Sequence, residues 1–465
     1  MDVSQGRVRT VSIIGTGYLG TTHAACMAEL GFEVVGLDSD PHKVAMLAAG
    51  RLPFVEPDLE PLLAEHVATG RLRFTTDPAE AAAADVHFLC VGTPQRSDGL
   101  GADLGAVRGS VAALAPHLSR PCLVVGKSTV PVGTAAELAE TLREAAPAGP
   151  EVHLAWNPEF LREGHAVADT LRPDRLVFGL EGGPDAPGAA RALTALREVY
   201  ADALGAGVPE VLADLPTAEL VKTAANSFLA TKISFINAMA ELCDAAGADV
   251  TVLAGALALD ERIGGRFLAP GLGFGGGCLP KDIRAFVARA EEIGAGAALA
   301  FLREVDAVNL RCRTRAVDLV LDELARGSGR RVAVLGASFK PGSDDVRDSP
   351  GLDVAAALHR SGIDVRIHDP AAMPTARRVH PELTYADSVA AACADADVVL
   401  LTTEWPQFRD LDPGGLAAVV ARPVVIDARH ALPAGSWRAA GWRYLAPGRP
   451  EPVATPRAAA ATTAA

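Results

Sequence analysis

Residues 8–20, V-R-T-V-S-I-I-G-T-G-Y-L-G, leave few structures open to this chain. The apolar, β-branched run to Ile14 predicts a strand buried on both faces, and such strands belong to parallel sheets covered by helices. The chain then turns on glycines into a helix reaching about Leu30. G-F-E-V-V-G-L-D follows as a second strand that ends on Asp38. Gly15, Gly17, Tyr18, Leu19 and Gly20 form a turn of the dinucleotide-binding type, where bare backbone lets a pyrophosphate approach a helix N-terminus. An acid at the position of Asp38 binds a ribose 2′-hydroxyl and repels a 2′-phosphate, so NAD is expected rather than NADP. Lys43, in D-P-H-K, flanks the adenosine end.

Alternating strand and helix patterns continue through A-D-V-H-F-L-C-V-G-T-P, P-C-L-V-V-G-K-S-T-V-P-V-G and E-V-H-L-A-W-N-P-E-F. From Pro216 the spacing becomes helical, with no glycine until Gly247. R-V-A-V-L-G-A-S-F-K-P-G restarts the strand–turn–helix pattern, and the tail half echoes the front. G-I-D-V-R-I-H-D-P resembles G-F-E-V-V-G-L-D-S-D-P, and A-D-V-V-L-L-T-T-E-W-P resembles A-D-V-H-F-L-C-V-G-T-P. The expected fold is α/β, with two Rossmann-like, doubly wound parallel-sheet domains flanking an all-helical one. The boundaries read as 1–205 (NAD-binding), 206–300 (helical), 301–328 (a long connecting helix), 329–440 (second Rossmann-like domain) and 441–465 (a disordered Ala/Pro-rich tail).

A net charge of −14 argues against nucleic acid as a partner. No signal-peptide pattern or membrane-spanning apolar run is visible, so a cytosolic location is expected. The seven cysteines are scattered singly with no C-x-x-C pair, and no metal site is expected. Only six of the 43 basic residues are lysines: Lys43, Lys127, Lys222, Lys232, Lys281 and Lys340. Where lysine survives so strong an arginine bias, a compact point charge or titratable amine is indicated.

Several segments carry chemistry. Thr93 and Thr129 sit just past strand ends, where doubly wound sheets bind ligands. Glu159 and Glu163, four apart in N-P-E-F-L-R-E-G, share a face if that turn is helical. Lys222 and Asn226 share a helical face and can donate to a developing oxyanion. In G-L-G-F-G-G-G-C-L-P-K-D (271–282), bare backbone admits a ligand beside Cys278, whose thiolate Lys281 or another cation would favour. A hydride acceptor and a nucleophilic thiol suggest oxidation of an alcohol to an aldehyde, then of its thiohemiacetal to a thioester that water releases as an acid. Asp282 is placed to orient or deprotonate that water. Lys340 and Arg347 in F-K-P-G-S-D-D-V-R-D-S-P, with Arg429 at another strand end, supply local positive charge for an anionic nucleotide.

On these motifs the chain resembles the UDP-glucose/GDP-mannose dehydrogenase family over roughly residues 8–435. The resemblance implies two NAD per UDP-glucose oxidised to UDP-glucuronate, with GDP-mannose and UDP-N-acetylmannosamine as alternative substrates. N-P-E-F-L-R-E-G favours the first two of the three sugars. A non-catalytic NAD/nucleotide-binding sensor is the alternative of another class. By the resemblance, Cys278 is the nucleophile, and Glu159, Lys222, Asn226 and Asp282 handle protons, oxyanion and water. Asp38, Lys43, Thr93, Thr129, Glu163, Lys281 and Arg347 contact NAD. Phe160, Leu161, Arg162, Glu163, Phe267, Leu268, Ala269, Pro270, Gly271, Gly275, Phe339, Lys340 and Arg429 line the nucleotide-sugar site, with Lys222 and Asn226. Arg262 reaches the substrate of a partner subunit, so the implied assembly is a homodimer or larger homo-oligomer. Gly277 and Leu279 depart from the serine and aromatic residue frequent beside the family's cysteine.

Overall fold

A computed structural model describes residues 8–450. The first lobe holds an eight-stranded sheet in the order β3-β2-β1-β4-β5-β6-β7-β8. Its strands are β1 Thr10–Ile14, β2 Glu33–Leu37, β3 Leu72–Thr75, β4 Val86–Leu89, β5 Cys122–Gly126, β6 Val152–Trp156, β7 Leu176–Leu180 and β8 Glu210–Asp214. The reversal of order at β1 opens the crevice in which such sheets bind ligands. Apolar layers cover both faces, one around Ile13, Phe88 and Phe178, the other around Val124, Leu138 and Trp156. Burial of each such side chain contributes about 1.5–3 kcal/mol.

All neighbours are parallel except β6 and β7. An irregular loop and the short helix Ala166–Leu171 join those two. The expected doubly wound parallel sheet is present, with this one antiparallel pair near its edge. β8 also lies beyond residue 205, inside the stretch read as helical. It is a half-exposed edge strand, so no buried apolar run announces it.

The central region is built on a long helix, Leu215–Ala246. Asp214 accepts a hydrogen bond from Thr217 N, Pro216 occupies the first turn, and Gly247 ends the helix at φ 69°. The helix Leu279–Glu292 packs against it, and the connecting helix Phe301–Ala325 crosses to the second lobe.

The second lobe has six parallel strands in the order β11-β10-β9-β12-β13-β14. They are β9 Arg331–Leu335, β10 Asp364–His368, β11 Thr384–Tyr385, β12 Val398–Leu401, β13 Val424–Asp427 and β14 Arg443–Leu445. The echoed segments hold equivalent places: β2 and β10 flank the first strand of each lobe on one side, β4 and β12 on the other. Gly15 N donates to Leu37 O and Gly336 N to His368 O, at 2.8 and 2.9 Å. β14 corrects the expectation of a tail from 441, since the sheet runs past that boundary. Residues 451–465 of the expected tail lie outside the described residues. Among the described residues no helix is long and apolar enough to cross a membrane.

Candidate active site

The helix Tyr18–Glu29 begins directly after the glycine turn, with no side chain capping its N-terminus and no acid in its first turn. Its first amide groups are thus free to meet an anion. A Cβ on Gly20 would lie 1.8 Å from Gly15 O, so only glycine permits this close packing of helix on turn. A Cβ on Gly17 would meet nothing within 4 Å, which leaves open space where a pyrophosphate approaches. Asp38 accepts from Thr16 N and Oγ1 and from Lys43 Nζ at 2.8–3.0 Å. Burial raises the Asp38 carboxyl, but these bonds outweigh it and bring its pKa below the ordinary aspartate value. An open glycine turn, an uncapped helix and an ionised acid fit an NAD adenosine and pyrophosphate. Thr93 Oγ1 donates to Thr129 O at 2.7 Å. Both threonines line a cleft together with Thr223, Lys281, Asp282 and Arg289.

This cleft leads to the acid–base cluster. Lys222 and Asn226 project from one face of the long helix and are buried. Lys222 Nζ pairs with Glu159 Oε1 at 3.0 Å, and Asn226 Nδ2 donates to Asp282 Oδ2 at 2.6 Å. Lys281 Nζ binds the other Asp282 oxygen at 2.5 Å. Burial lowers the Lys222 ammonium, but Glu159, Cys278 and Asp282 more than reverse this, and it stays a cation. Cys278 is the N-cap residue of Leu279–Glu292 and the only solvent-exposed cysteine of the seven. All five catalytic candidates therefore meet.

The thiol departs from expectation. Protein atoms crowd its sulfur, and burial, reinforced by Asp282 and Glu159, pushes the Cys278 thiol up to about 11 against the pull of Lys222 and Lys281. Desolvation outweighs the neighbouring cations, so the ligand-free protein holds a thiol, not the thiolate expected beside Lys281. Below that pKa the thiolate fraction rises tenfold per pH unit. Alkylation of ligand-free protein by iodoacetamide is therefore expected to accelerate steadily from pH 7 to 10. A plateau above pH 8 contradicts this reading.

The glycines before Cys278 serve a purpose the sequence did not disclose: the second lobe packs onto them. A Cβ on Gly275 would sit 2.2 Å from Asp348 O, and one on Gly277 2.3 Å from the Arg347 guanidinium carbon. Arg429 joins this seam, donating to Thr402 O at 2.7 Å and to Gly273 O at 2.9 Å. Glu163 reaches across from the first lobe, accepting from Ser343 Oγ at 3.2 Å and facing Arg347 at 3.5 Å. Burial, with Asp345 beside it, raises its carboxyl to about 7 in spite of Lys340 and Arg347. Glu159 and Glu163 share no helical face: residues 157–162 are irregular, and Leu161 N turns back to Glu159 Oε2 at 2.8 Å.

The remaining candidates divide. Phe160 lies between Lys222 and Arg175, whose guanidinium stacks 3.8 Å from its ring. Lys340 stands over the Phe339 ring. Leu268 and Pro270 are buried, Ala269 is exposed, and Gly271 N is held by Asn237 Oδ1 at 2.8 Å. Phe267 is exposed with φ 64°, a strained conformation for a bulky residue. Arg162 is tied to Asp169, and Arg262 projects into solvent, paired only with Asp260 among the described residues.

Three site neighbours went unread in the sequence. Glu219 accepts from Gly133 N and Ala135 N at 2.7 Å and anchors the long helix to the 127–133 loop. It lies one turn before Lys222, and that i, i+3 spacing was a usable signal. Arg289 donates to Val132 O at 2.9 Å, fastening the cysteine's helix to the same loop. Glu56 accepts from Gly164 N and Ala166 N at 2.7 and 2.8 Å and contacts the Tyr18 hydroxyl. Only its place in F-V-E-P hinted at it.

Comparison with known proteins agrees with this geometry. The UDP-glucose/GDP-mannose dehydrogenase family matches through its NAD binding domain over residues 9–204, its central domain over 216–311 and its UDP binding domain over 333–434. The UDP-glucose 6-dehydrogenase of Rhizobium meliloti (strain 1021) is 41% identical over 444 residues, 95% of this chain and all of the relative. The UDP-glucose 6-dehydrogenase AglM of Haloferax volcanii is 42% identical, over 90% of this chain and 96% of its own. A solved UDP-glucose dehydrogenase from Pyrobaculum islandicum superposes with a TM-score of 0.86 at 38% identity, covering 97% of this chain and 100% of that one. The chain belongs to the UDP-glucose/GDP-mannose dehydrogenase family.

Proposed function

We propose that the chain is an NAD-dependent UDP-glucose 6-dehydrogenase that oxidises the sugar's C6 alcohol to the acid. The observation that carries this is the thiol of Cys278 beside the Lys222–Glu159 and Asn226–Asp282 pairs. Overall, the alcohol and one water become a carboxylate as two NAD are reduced and three protons leave. NAD, when bound, accepts each hydride. Lys222 and Asn226 donate hydrogen bonds to the C6 oxygen while it bears negative charge. The Cys278 sulfur bonds to the C6 aldehyde carbon and gives up its proton, and loss of the second hydride leaves a thioester. Asp282, held by Asn226 and Lys281, orients the water whose attack breaks the C–S bond. Glu159 and Asp282 are the carboxylates near enough to take protons.

The nucleotide is assigned to the seam of the two lobes, near Lys340 and Arg429. A homodimer completes the reading. Phe228, Phe235 and Leu242 recur every seven residues along the long helix and are exposed, as are Phe301 and Leu310 on the connecting helix. A second copy covering these faces could also receive Arg262. With NAD and a nucleotide sugar as reactants, the enzyme is assigned to the cytosol.

Purified protein given UDP-glucose is expected to form two NADH per UDP-glucuronate, faster than with GDP-mannose or UDP-N-acetylmannosamine. One NADH per sugar, or no turnover of any of the three, contradicts the proposal. Light scattering tests the dimer.

A further inference from the structure

Lys127, at the end of β5, carries an ammonium into the middle of the first lobe. No carboxylate forms an ion pair with it among the described residues. Its three protons are satisfied otherwise: Nζ lies 2.9 Å from Asn157 Oδ1, 3.4 Å from Asn157 O and 3.2 Å from Tyr200 Oη. It also stands over the rings of Phe88 and Tyr200. Taking such a cation out of water is costly, a burden that a methionine at this position would not impose.

What the ammonium holds is the root of the catalytic turn. Tyr200 Oη donates to Asn157 Oδ1 at 2.6 Å, and Asn157 Nδ2 donates to Val177 O at 3.0 Å, so the amide has one orientation. Two residues on, Glu159 gives one oxygen to Leu161 N and the other to Lys222. The 157–161 turn is thus gripped from behind by one lysine and in front by another. The surrounding groups agree with a retained charge. Burial pulls the Lys127 ammonium down to about 8, Glu159 and Cys90 support it, and Lys222 opposes it. His23, on the helix packed behind, is kept neutral by burial and by Lys127 itself.

We propose that Lys127 is a positioning residue, whose ammonium fixes the Asn157–Glu159 turn so that Glu159 meets Lys222 and the substrate in productive geometry. This rests on the proposed oxidation, and the wild-type enzyme, assayed alongside, tests that reading separately. No turnover by wild type contradicts the function; normal turnover by wild type leaves the variants to judge Lys127. Lys127→Met fills the same space without charge or donors. Its kcat is expected to fall about 10- to 100-fold, the scale of a slightly misplaced catalytic group, with KM for both substrates within threefold of wild type and the protein folded by thermal melting. A kcat within threefold of wild type, or a loss seen only in KM or in the folded fraction, overturns the inference. If Lys127→Met does not fold, Tyr200→Phe decides. Removing the hydroxyl that joins Lys127 to Asn157 is expected to lower kcat about three- to tenfold at unchanged KM. An unchanged kcat in that variant overturns the inference.

Discussion

Cys278→Ala is expected to make no UDP-glucuronate, with kcat for acid formation lower by at least about 10³-fold, or roughly 4 kcal/mol. The sulfur is the only group at the site suited to carry a thioester; Lys222, Asn226, Asp282 and Glu159 are all committed to pairs. Without it, oxidation stops at the aldehyde stage, so at most one NADH per sugar is expected. Fold and ligand affinity should barely change. Cys278 is exposed, packs no core and makes no side-chain hydrogen bond among those described. A change in melting temperature beyond a few degrees, or a large rise in KM, contradicts the assignment of Cys278 to chemistry alone. NADH counting against product, with melting curves, checks all three points.

Lys222→Ala is expected to damage both stability and rate. The lysine is buried, and its removal leaves the largely buried Glu159 carboxylate without its counter-ion. Breaking a buried pair from one side costs about 3 kcal/mol or more. The rate should fall about 10²- to 10³-fold, since the ammonium is the strongest donor available to an oxyanion at C6. The two effects separate in a double variant. Lys222→Met combined with Glu159→Gln removes both charges, so most of the stability is expected to return while activity does not. If activity returns with stability, Lys222 is a structural residue only. Denaturant unfolding and steady-state kinetics on the three proteins decide.

How far the sequence disclosed this molecule depends on the range of each interaction. The glycine turn, Asp38 and the echoed strands were readable because each is a local solution: a tight turn, a buried strand, an acid at the strand's end. Lys222 and Asn226 were readable for the same reason, helical spacing being a local rule. Long-range packing was not. Glycine at 275 and 277 reads as an invitation to a ligand until Asp348 and Arg347, some seventy residues away, are found against them. The edge strand β8 is half-exposed and β14 is only three residues long, so neither carries a continuous apolar run, and both were assigned to the wrong side of a boundary. The thiol's protonation was misjudged for an energetic reason. Sequence shows Lys281 beside Cys278 but not how closely protein atoms crowd the sulfur of this surface residue, and that desolvation is the larger effect. Lys127 lies between these cases. Its rarity drew notice, yet its partners Asn157 and Tyr200 come from distant segments that only the fold unites.

The most direct measurement stops the wild-type reaction in acid within the first turnovers and maps the protein by peptide mass spectrometry. A UDP-glucuronyl adduct is expected on the peptide containing Cys278, released by hydroxylamine and absent when NAD is withheld. UDP-glucuronate accumulating at full rate while that peptide stays unmodified throughout contradicts the covalent route.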